Sequence, residues 1–362
     1  MKNFLKPGIH WLFAFIPITF ILEYRHATAP LIFFSAALSI IPIARLIGSA
    51  TEQLATYTGD AVGGLLNATF GNFPELIIAT IALKAGLHQM VLASLGGAIL
   101  ANLLLAMGVS FLLGGLKFLN QDYNVTSVRV YSSMMMMAVI SLTIPSSFHV
   151  YAVDKFPVEI ENLLNLNVSI VLLIAYVLYL VFMLKTHPDF FRSEATATHT
   201  ADEHENRWSL PVAVTTLVIA SVLAALMSEV LVGAAEETGK VMGMSSVFIG
   251  IIFLAIVGGA AESLSAIAMA AKNKMDLSIG IALGSSIQIA LFIAPLLVIL
   301  SNFVGPRQLN LSFSRGLILA LFLAVILASV VVGDGRSNWY KGVQLIIVYV
   351  IMGTMLYFIP AV

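Results

Sequence analysis

The chain has 362 residues, of which 59% are hydrophobic and only 10% charged, and its formal net charge is −1. This composition cannot supply the charged surface of a soluble globular protein, and it lacks the clustered Lys and Arg that nucleic-acid binding requires. The absence of cysteine excludes disulfides, thiol catalysis and thiolate metal ligands, so any metal must be held by oxygen or histidine. Lipid must therefore be the main solvent of this protein.

Apolar segments recur along the chain, and the longest of them can each cross a bilayer core of roughly 30 Å. Eleven helices are predicted, at residues 8–22, 29–50, 60–84, 85–116, 131–153, 162–184, 208–228, 245–271, 277–306, 314–332 and 342–362. The longest connection is the acidic stretch from His187 to Arg207, between the sixth and seventh helices. The predicted fold class is an all-α polytopic membrane protein with about eleven transmembrane helices.

Lys and Arg are divided unevenly between the two predicted sides of the membrane. If the loops alternate, twelve of the eighteen fall on the side that holds the N-terminus and the acidic connection. Cytoplasmic loops are the ones enriched in positive residues. We therefore expect the N-terminus to be cytoplasmic and the C-terminus to lie outside.

Two glutamates interrupt the apolar helices. Glu75 lies in GNFPELIIATIAL (Gly71 to Leu83) and Glu262 lies in GGAAESLSAIAMA (Gly258 to Ala270). Buried acids are rare in spanning helices because each one costs several kcal/mol, so their presence indicates a functional site. Neither motif helix has a Lys or Arg at membrane depth, which disfavours a purely structural ion pair.

The distance along the chain from Glu75 to Glu262, called the glutamate spacing below, also superposes several of their neighbours without a gap. The matching pairs are Glu75/Glu262, Gly63/Gly250, Ala68/Ala255, Gly71/Gly258, Ala79/Ala266, Gly97/Gly284 and Leu104/Leu291. Five helices per copy is an odd number, so the second copy must have inverted topology, with a site near the bilayer midplane. The predicted division is an N-terminal transmembrane helix (1–28), a first five-helix repeat (29–186), an acidic cytoplasmic linker (187–207) and a second five-helix repeat (208–362).

A weaker similarity pairs Glu52, in SATEQLA, with Glu229, in LMSEVLV, in the helix that precedes each motif. Glu52 and Glu229 are ten residues closer together in the chain than Glu75 and Glu262 are. The two similarities therefore fit one repeat only if a ten-residue insertion separates the two matched elements. Both glutamates are predicted to lie near helix ends. A role in gating or ion access is therefore weighed against simple solvation.

The residues around the two buried glutamates offer hard oxygen ligands. Pro74 predicts a broken or kinked helix, and the Gly258–Gly259 pair loosens the second helix. Freed carbonyls beside carboxylates suit Ca²⁺, which takes about six to eight oxygen ligands. The predicted ion-binding set is Glu75, Glu262, Gly71, Asn72, Pro74, Gly258, Gly259, Asn102, Ser285 and Gln288.

The same pair of acids offers a coupling mechanism. Two carboxylates buried close together resist simultaneous ionisation until a divalent cation arrives, so protons and metal compete for one site. Competition becomes obligatory exchange if only loaded states can change from inward to outward facing. The acidic connection could sense cations, but it lacks the spacing of an EF-hand and is more typical of a plain linker.

At the two glutamate motifs the sequence resembles the Ca²⁺/H⁺ antiporters of the cation exchanger family, within the Ca²⁺/cation antiporter superfamily. The stretches that carry the resemblance are GGLLNATFGNFPELI (63–77), AAKNKMD (270–276), GSSIQIA (284–290) and DGRSNW (334–339). The resemblance implies one helix plus two inverted five-helix repeats, with an acidic segment between them. It also implies that Glu75 and Glu262 bind the exchanged ions, and that the membrane is a bacterial cell membrane.

Three residues depart from the pattern of that family. Pro74 stands where an apolar non-proline residue is usual, Gly259 where Asn is expected and Ser263 where His is expected. A proline directly before the glutamate is reminiscent of Na⁺/Ca²⁺ exchangers, but the Ser/Thr-rich motif pair that binds sodium in those relatives is absent. The resemblance therefore implies Ca²⁺ as the transported substrate and H⁺ as the counter-ion, with no cofactor.

The sequence favours a secondary active transporter that exchanges Ca²⁺ for H⁺ by alternating access. A Na⁺-coupled or broader divalent cation exchanger stays open, and so does a cation channel. An intramembrane enzyme is disfavoured, since neither His-Glu-x-x-His nor a pair of intramembrane aspartates occurs. The expected partners are the lipid bilayer and the two ions, and homo-oligomer formation is left open.

Overall fold

The computed structural model describes residues 8–58, 63, 66, 69–152, 155–191 and 208–358. The first six helices are α1 (Ile9–Tyr24), α2 (Ala29–Ala55), α3 (Phe73–Lys84), α4 (His88–Phe118), α5 (Val125–Ala152) and α6 (Val158–Thr186). The next six are α7 (Leu210–Met242), α8 (Ser246–Gly258), α9 (Ala260–Ala270), α10 (Met275–Leu300), α11 (Arg315–Val331) and α12 (Trp339–Phe358). Most of the acidic connection, residues 192–207, lies outside the described residues.

Seven helices of the described residues are long and apolar enough to cross a membrane. The pair α8 and α9, bent by 57° at their break, is long and apolar enough to form an eighth if the two helices make one broken span. Two shorter apolar helices, α1 and α11, add to these, and α3 follows a stretch that is described only in part. The predicted helical membrane fold is therefore confirmed.

Two short strands were not predicted. β1 (Asn120–Asp122) follows α4, and β2 (Arg336–Asn338) precedes α12. They pair antiparallel with Gln121 opposite Ser337, so the α4–α5 connection is joined to the α11–α12 connection. The DGRSNW stretch thus forms the second strand and the start of α12 at one end of the molecule.

The seventh helix is longer than predicted. The prediction ended it at Ser228, before Glu229, whereas α7 continues to Met242. The helix continues past Ser228 because the glutamates in this part of α7 lie on its exposed side. On the opposite side Val230, Leu231 and their neighbours are buried. It ends where Gly243 adopts the left-handed conformation, with φ of 67°.

The interior of the protein is built around α4 and α10. In their most apolar stretches 72% and 67% of the residues are buried, against 28% or less in α5, α6, α7 and α12. The four outer helices therefore present mainly lipid-facing surface, as apolar exposed side chains should in a bilayer. α2 lies along α7, and α3 and α9 pack close to the two central helices.

Several backbone features recur in the two halves of the chain. α4 and α10 contain π-helical turns at Ala101–Ala106 and Ile289–Ile293. The turns after α3 and α9 each contain one left-handed residue, Gly86 with φ of 79° and Asn273 with φ of 60°, and these two positions are separated by the glutamate spacing. Since π turns are often found at functional sites, the central helices are the place to look for one.

Candidate cation site

Each of the two motif glutamates lies in the first turn of a helix that begins after a break. α3 starts at Phe73 after a turn at Gly71 and Asn72, and it carries Glu75. α9 starts after Gly259 and carries Glu262. The break near Pro74 was predicted, but Pro74 is the second residue of the new helix, where its missing N–H costs no helical hydrogen bond. The break itself therefore falls at Gly71–Asn72.

The two breaks lie against each other in the middle of the protein. A Cβ atom at Gly258 would lie 2.9 Å from Cγ of Glu75, and one at Gly259 would lie 3.5 Å from Oε1 of Glu75. The side chain of Glu75 therefore packs directly on the second break, which only a residue without a side chain permits at Gly258. Glu262 lies three residues after Gly259, in the first turn of α9, so both carboxylates belong to the region where the two breaks meet.

The buried oxygens around the two breaks accept few hydrogen bonds. Within the described residues no donor reaches Oδ1 of Asn72, either carboxylate oxygen of Glu75, or Oε2 of Glu262. Buried carboxylate and amide oxygens normally have partners, because an unpaired one costs its desolvation free energy. Oxygens of this kind are the ligands that hard cations such as Ca²⁺ prefer.

A hydrogen-bond chain orients Asn72. Its amide Nδ2 donates to Oε1 of Gln288 at 2.6 Å, and Nε2 of Gln288 donates to the carbonyl oxygen of Thr69 at 3.1 Å. The nitrogen of Asn72 is thus held by α10, which leaves its oxygen for another partner. Gln288, which the sequence predicts as a ligand, uses both ends of its amide to hold the first break.

The other predicted ion-binding residues lie around the same point. Asn102, on the π-helical turn of α4, is buried, and its Oδ1 would lie 3.6 Å from a Cβ atom at Gly259. Ser285, in α10, and Gly71 line the large cavity that also contains Glu262. The structure therefore brings the whole predicted set into one region, although no group of three His, Asp or Glu side chains forms a metal cluster in the part of the chain that is described.

A cavity of about 800 Å³ opens from Glu262 toward the end of the molecule that holds the α9–α10 turn. Residues of α2, α5, α6, α9 and α10 and of the α9–α10 turn form most of its wall. Among the polar and aromatic residues there that the sequence did not single out as site residues are Arg45, Tyr131, Tyr176, Tyr179, Lys272 and Asp276. Asp276 also accepts a hydrogen bond from the backbone nitrogen of Asn124 at 2.6 Å. Asp276 lies in AAKNKMD, but neither its spacing nor that of the tyrosines distinguished them from packing residues.

Access to the two glutamates is unequal. Glu262 lines the large cavity, whereas Glu75 is 6% exposed and borders a space of only about 10 Å³. That small space is walled by α4 and α8, including Ser94 and Leu254. A large cavity thus lies beside Glu262, and only a small space lies beside Glu75.

Glu52 and Glu229 do not occupy equivalent places. Glu52 is exposed, lines the cavity and stands three residues before the end of α2. Glu229 is exposed on α7 and stands thirteen residues before the end of that helix, so the prediction that it lies near a helix end is wrong. The cause is the extension of α7 to Met242, which the glutamates do not interrupt. Of the two, only Glu52 is among the residues that line the cavity.

A family model described as "Sodium/calcium exchanger protein" matches residues 28–185 and 212–358. The chain belongs to the sodium/calcium exchanger protein family. The resemblance seen at the two glutamate motifs is thereby confirmed. The matched relatives in this family are named as transporters, which agrees with the prediction that the protein is not an enzyme.

Two relatives in this family are similar to the chain over nearly their whole length. The chain is 42% identical to a protein named Ca(2+)/H(+) antiporter ChaA from Bacillus subtilis, over 93% of this chain and 95% of that one. It is 38% identical to a Ca(2+)/H(+) antiporter from Aphanothece halophytica, over 97% of this chain and 96% of that one.

Solved structures of the family share the fold. The structure of native YfkE matches with a TM-score of 0.83 and 38% identity, over 97% of this chain and all of that one. The H+/Ca2+ exchanger CAX matches with a TM-score of 0.70 at 14% identity, over 96% of this chain and 91% of that one, a likeness of fold alone. The protein is therefore an integral membrane protein with the architecture of cation exchangers.

Proposed function

We propose that this member of the family exchanges Ca²⁺ for H⁺ at a site formed by Glu75 and Glu262. The observation that carries the proposal is the set of buried oxygens without hydrogen-bond donors, on Asn72, Glu75 and Glu262, where two broken helices meet. Two carboxylates carry the charge that a divalent cation needs, and the amide oxygen of Asn72 adds a neutral ligand. The names of the relatives support Ca²⁺ and H⁺ as the two substrates.

The residues have different roles in this proposal. Glu75 and Glu262 bind Ca²⁺ directly and accept the protons when Ca²⁺ leaves. Gln288 acts as a positioning residue, because it holds the nitrogen of Asn72 and so directs the oxygen of that amide away from α10. Gly258 and Gly259 let the Glu75 side chain approach the second break. Asn102, Ser285, Gly71 and Pro74 complete the surroundings of the ion.

Exchange follows from the sharing of one desolvated site. Each bound proton removes a negative charge that the metal needs, and each bound metal expels protons. Because the two glutamates interact, they titrate as a pair, and Ca²⁺ affinity must weaken as pH falls through that joint titration. Obligatory coupling requires in addition that the site be open to only one side at a time.

The cavity supports a direction of access. It opens at the end that holds Lys272 and Phe191, where the α6–α7 connection begins. If the loops alternate, this is the side with the excess of positive residues. We infer that this side is the cytoplasm and that Glu262 faces it, with the N-terminus also inside and the C-terminus outside. Glu52, at the cavity wall, is then an ion-access residue, whereas Glu229 has no such place.

We further infer that residues 29–186 and 208–362 are inverted five-helix repeats, with 1–28 as an extra helix and 187–207 as the linker. The family model supports this inference by matching two separate blocks. The left-handed residues Gly86 and Asn273, which recur at the glutamate spacing, support it independently. Inverted repeats around a midplane site are the usual basis of alternating access.

The test is ⁴⁵Ca²⁺ uptake into everted membrane vesicles under an imposed pH gradient, with and without Na⁺. Proton-driven uptake that needs no Na⁺, and whose apparent Ca²⁺ affinity falls with pH, is expected. Uptake that requires a Na⁺ gradient would show that Na⁺, and not H⁺, is the counter-ion. Flux that dissipates any Ca²⁺ gradient without a counter-ion would indicate a channel. Vesicles that carry the Glu262→Gln variant provide the baseline.

A further inference from the structure

The helix that carries Glu262 is held more weakly by apolar packing than the helix that carries Glu75. All eleven residues of α9 are described, and the three of them that are buried are all alanines. Six of the twelve residues of α3 are buried, and they include the larger side chains of Ile78 and Leu83. Because stabilisation by packing grows with the apolar area that is buried, α9 depends more than α3 on its other contacts.

The side of α9 with little packing faces the large cavity. Glu262, Ser265, Ala268 and Met269 line that cavity, and Ser265 and Ala268 are exposed. The start of α9 follows the break at Gly259, where the chain bends by 57°, so α8 does not continue into α9 as one straight helix. The axial position of α9, and with it that of Glu262, is therefore not fixed by α8 alone.

Polar side chains of the segment formed by α4 and β1 hold the other end of α9. Nε2 of Gln121, in β1, donates to the carbonyl oxygen of Ala270 at 2.9 Å and to Oδ1 of Asn273 at 2.9 Å. Nζ of Lys117, near the end of α4, donates to the carbonyl oxygen of Ala271 at 2.8 Å. The last carbonyls of a helix lack partners in their own helix and carry partial negative charge, so an amide donor and a cation both suit them.

The amide of Gln121 is itself fixed in place. Gln121 is buried, and both of its acceptors lie at the same end of the amide, so that end must be the NH₂ group. A Cβ atom at Gly114 would overlap Oε1 of Gln121, so the glycine there makes room for the amide. The backbone of Gln121 lies opposite Ser337 in the pairing of β1 with β2. The donor that holds α9 is therefore part of a paired ribbon and not of a free loop.

The same segment also reaches the start of α9. Oδ1 of Asn102, in the π-helical turn of α4, would lie 3.6 Å from a Cβ atom at Gly259, where α9 begins. α4 thus packs along α9, with Asn102 at the start of α9 and Lys117 and Gln121 at its end. These contacts determine how Glu262 is placed relative to Asn102.

We propose that Gln121, assisted by Lys117, is a positioning residue that sets the axial position of Glu262 in the cation site. The hydrogen bonds hold the end of α9 against the α4–β1 segment, so the carboxylate of Glu262 is aligned with the amide of Asn102. Ca²⁺ and Mg²⁺ differ in the ligand distances and geometry that they require, so a shift of one ligand should weaken Ca²⁺ binding and reduce discrimination against Mg²⁺. This inference rests on the proposed role of Glu262 in binding the ion.

Gln121→Met is the main test, because it keeps the length of the side chain and removes both hydrogen bonds to α9. Ca²⁺ affinity, measured by calorimetry on the purified protein, should fall about tenfold, and the ratio of Ca²⁺ affinity to Mg²⁺ affinity should fall with it. Asn165→Leu is the matched control. Asn165 is also a buried amide, and it accepts a hydrogen bond from the backbone nitrogen of Leu311 at 2.7 Å, at the α10–α11 connection. Its loss should lower the melting temperature without changing either affinity.

A double-mutant cycle with Asn102→Ala distinguishes positioning from a general loss of stability. If Gln121 aligns Glu262 with Asn102, that alignment matters less once the amide of Asn102 is absent. Gln121→Met should therefore lower Ca²⁺ affinity only about threefold in the Asn102→Ala background. The same loss in both backgrounds would overturn the proposal, and so would parent-like affinity in Gln121→Met.

Lys117→Met decides the question if Gln121→Met does not fold. Lys117 is exposed, and its replacement removes the bond to Ala271. Loss of a positive charge by itself favours cation binding, so a fall in Ca²⁺ affinity of about threefold, smaller in the Asn102→Ala background, can come only from positioning. Lys84→Met, at the exposed last residue of α3, is the matched control and should not lower affinity. Parent-like or increased affinity in Lys117→Met would then reject the proposal.

The outcomes distinguish this inference from the proposed function. If Glu262→Gln abolishes Ca²⁺ binding while Gln121→Met binds Ca²⁺ like the parent, the positioning role is rejected and the ion-binding role of Glu262 stands. The same calorimetry is repeated with Mn²⁺ and Na⁺. If the parent binds one of these ions and not Ca²⁺, and Gln121→Met weakens that binding with the same coupling to Asn102, the positioning role stands and the assignment of Ca²⁺ is wrong.

Discussion

The two glutamates have closely similar local settings and very different access. Each lies in the first turn of a helix after a break. Yet Glu75 is sealed under α4 and α8, while Glu262 faces a cavity of about 800 Å³. The difference does not come from the residues beside each glutamate but from whether a neighbouring helix covers the adjacent face. Access to each glutamate is therefore set by how neighbouring helices pack over it.

The two halves of the site also differ in ways that the sequence does encode. The first break has Asn72, held by Gln288 from α10, whereas the second has Gly259, with Asn102 of α4 close by. Such differences persist in every conformation. They give the first half of the proposed site a fixed amide oxygen, which Gly259 cannot supply in the second half.

The largest effect is expected from removing either acid, which tests whether the sealed and the open glutamate matter equally. Glu75→Gln and Glu262→Gln should each abolish proton-driven ⁴⁵Ca²⁺ uptake, because one carboxylate cannot supply the charge of the pair. Folding should persist, since neutralising a buried acid relieves its desolvation cost. Glu229→Gln, outside the cavity, is the control and should transport normally.

Near-normal uptake in either of the two core variants would remove that glutamate from the site. If only the Glu75 variant stayed active, Glu262 would be a functional residue and Glu75 a structural one.

A smaller effect is expected when the hydrogen bond that orients Asn72 in the first half of the site is removed. Gln288→Ala deprives the buried amide nitrogen of Asn72 of its 2.6 Å hydrogen bond, so the oxygen is no longer oriented. An unsatisfied buried donor costs about 1–3 kcal/mol, and a tenfold change in affinity corresponds to about 1.4 kcal/mol. We expect Ca²⁺ affinity, measured by calorimetry, to fall about tenfold.

Ser286→Ala provides the control for this change. Ser286 is buried two residues before Gln288, and its hydroxyl donates to the carbonyl of Ala282 in the same helix. Unchanged affinity in Gln288→Ala would mean that Asn72 does not bind the ion.

Changing the second half toward the family pattern should alter selectivity rather than rate. A Cβ atom at Gly259 would lie 3.3 Å from the carbonyl oxygen of Ala255 and 3.5 Å from Oε1 of Glu75, so Asn fits tightly and brings an amide beside that carboxylate. Gly259→Asn combined with Ser263→His should sharpen the preference for Ca²⁺ over Mn²⁺ and Mg²⁺ by a few-fold. The Gly259→Ala variant distinguishes the effect of added volume from the effect of the amide group. Identical competition profiles in the double variant and the parent would rule out a role of these two positions in selectivity.

The smallest effect is expected far from both glutamates, at Asp334 in the α11–α12 connection. Partial burial there opposes ionisation, but hydrogen bonds from Lys341 Nζ at 2.5 Å and from the backbone nitrogen of Arg336 at 3.2 Å hold the pKa of Asp334 below its ordinary value. A lowered carboxyl pKa stabilises the fold above the unfolded pKa, and that stability is lost as pH falls through the folded pKa.

Asp334→Asn should therefore lower the melting temperature slightly at neutral pH and not at acid pH, because the carboxylate is 60% exposed and well screened. Transport should be unchanged. A loss of transport here would show that the connection takes part in the conformational change and does not merely join two helices.

Local chemistry accounts for what the sequence determined by itself. Hydropathy predicted the helices, two uncompensated acids in apolar segments marked the site, and Pro and Gly beside them predicted the breaks, since each of these signals lies within a few residues. The glutamate spacing also predicted that Gly97 and Gly284 correspond. The extension of α7 was missed because exposed glutamates resemble a helix end when burial is unknown.

Tertiary structure decided which glutamate can be reached and what holds Asn72. The bond between Asn72 and Gln288 joins residues 216 positions apart, and the seal over Glu75 joins α4 to α8. Neither contact has a local sequence signature. A glutamine or a glycine in an apolar helix has the same sequence context whether it packs against a neighbouring helix or faces an open cavity. Long-range packing alone sets that partner.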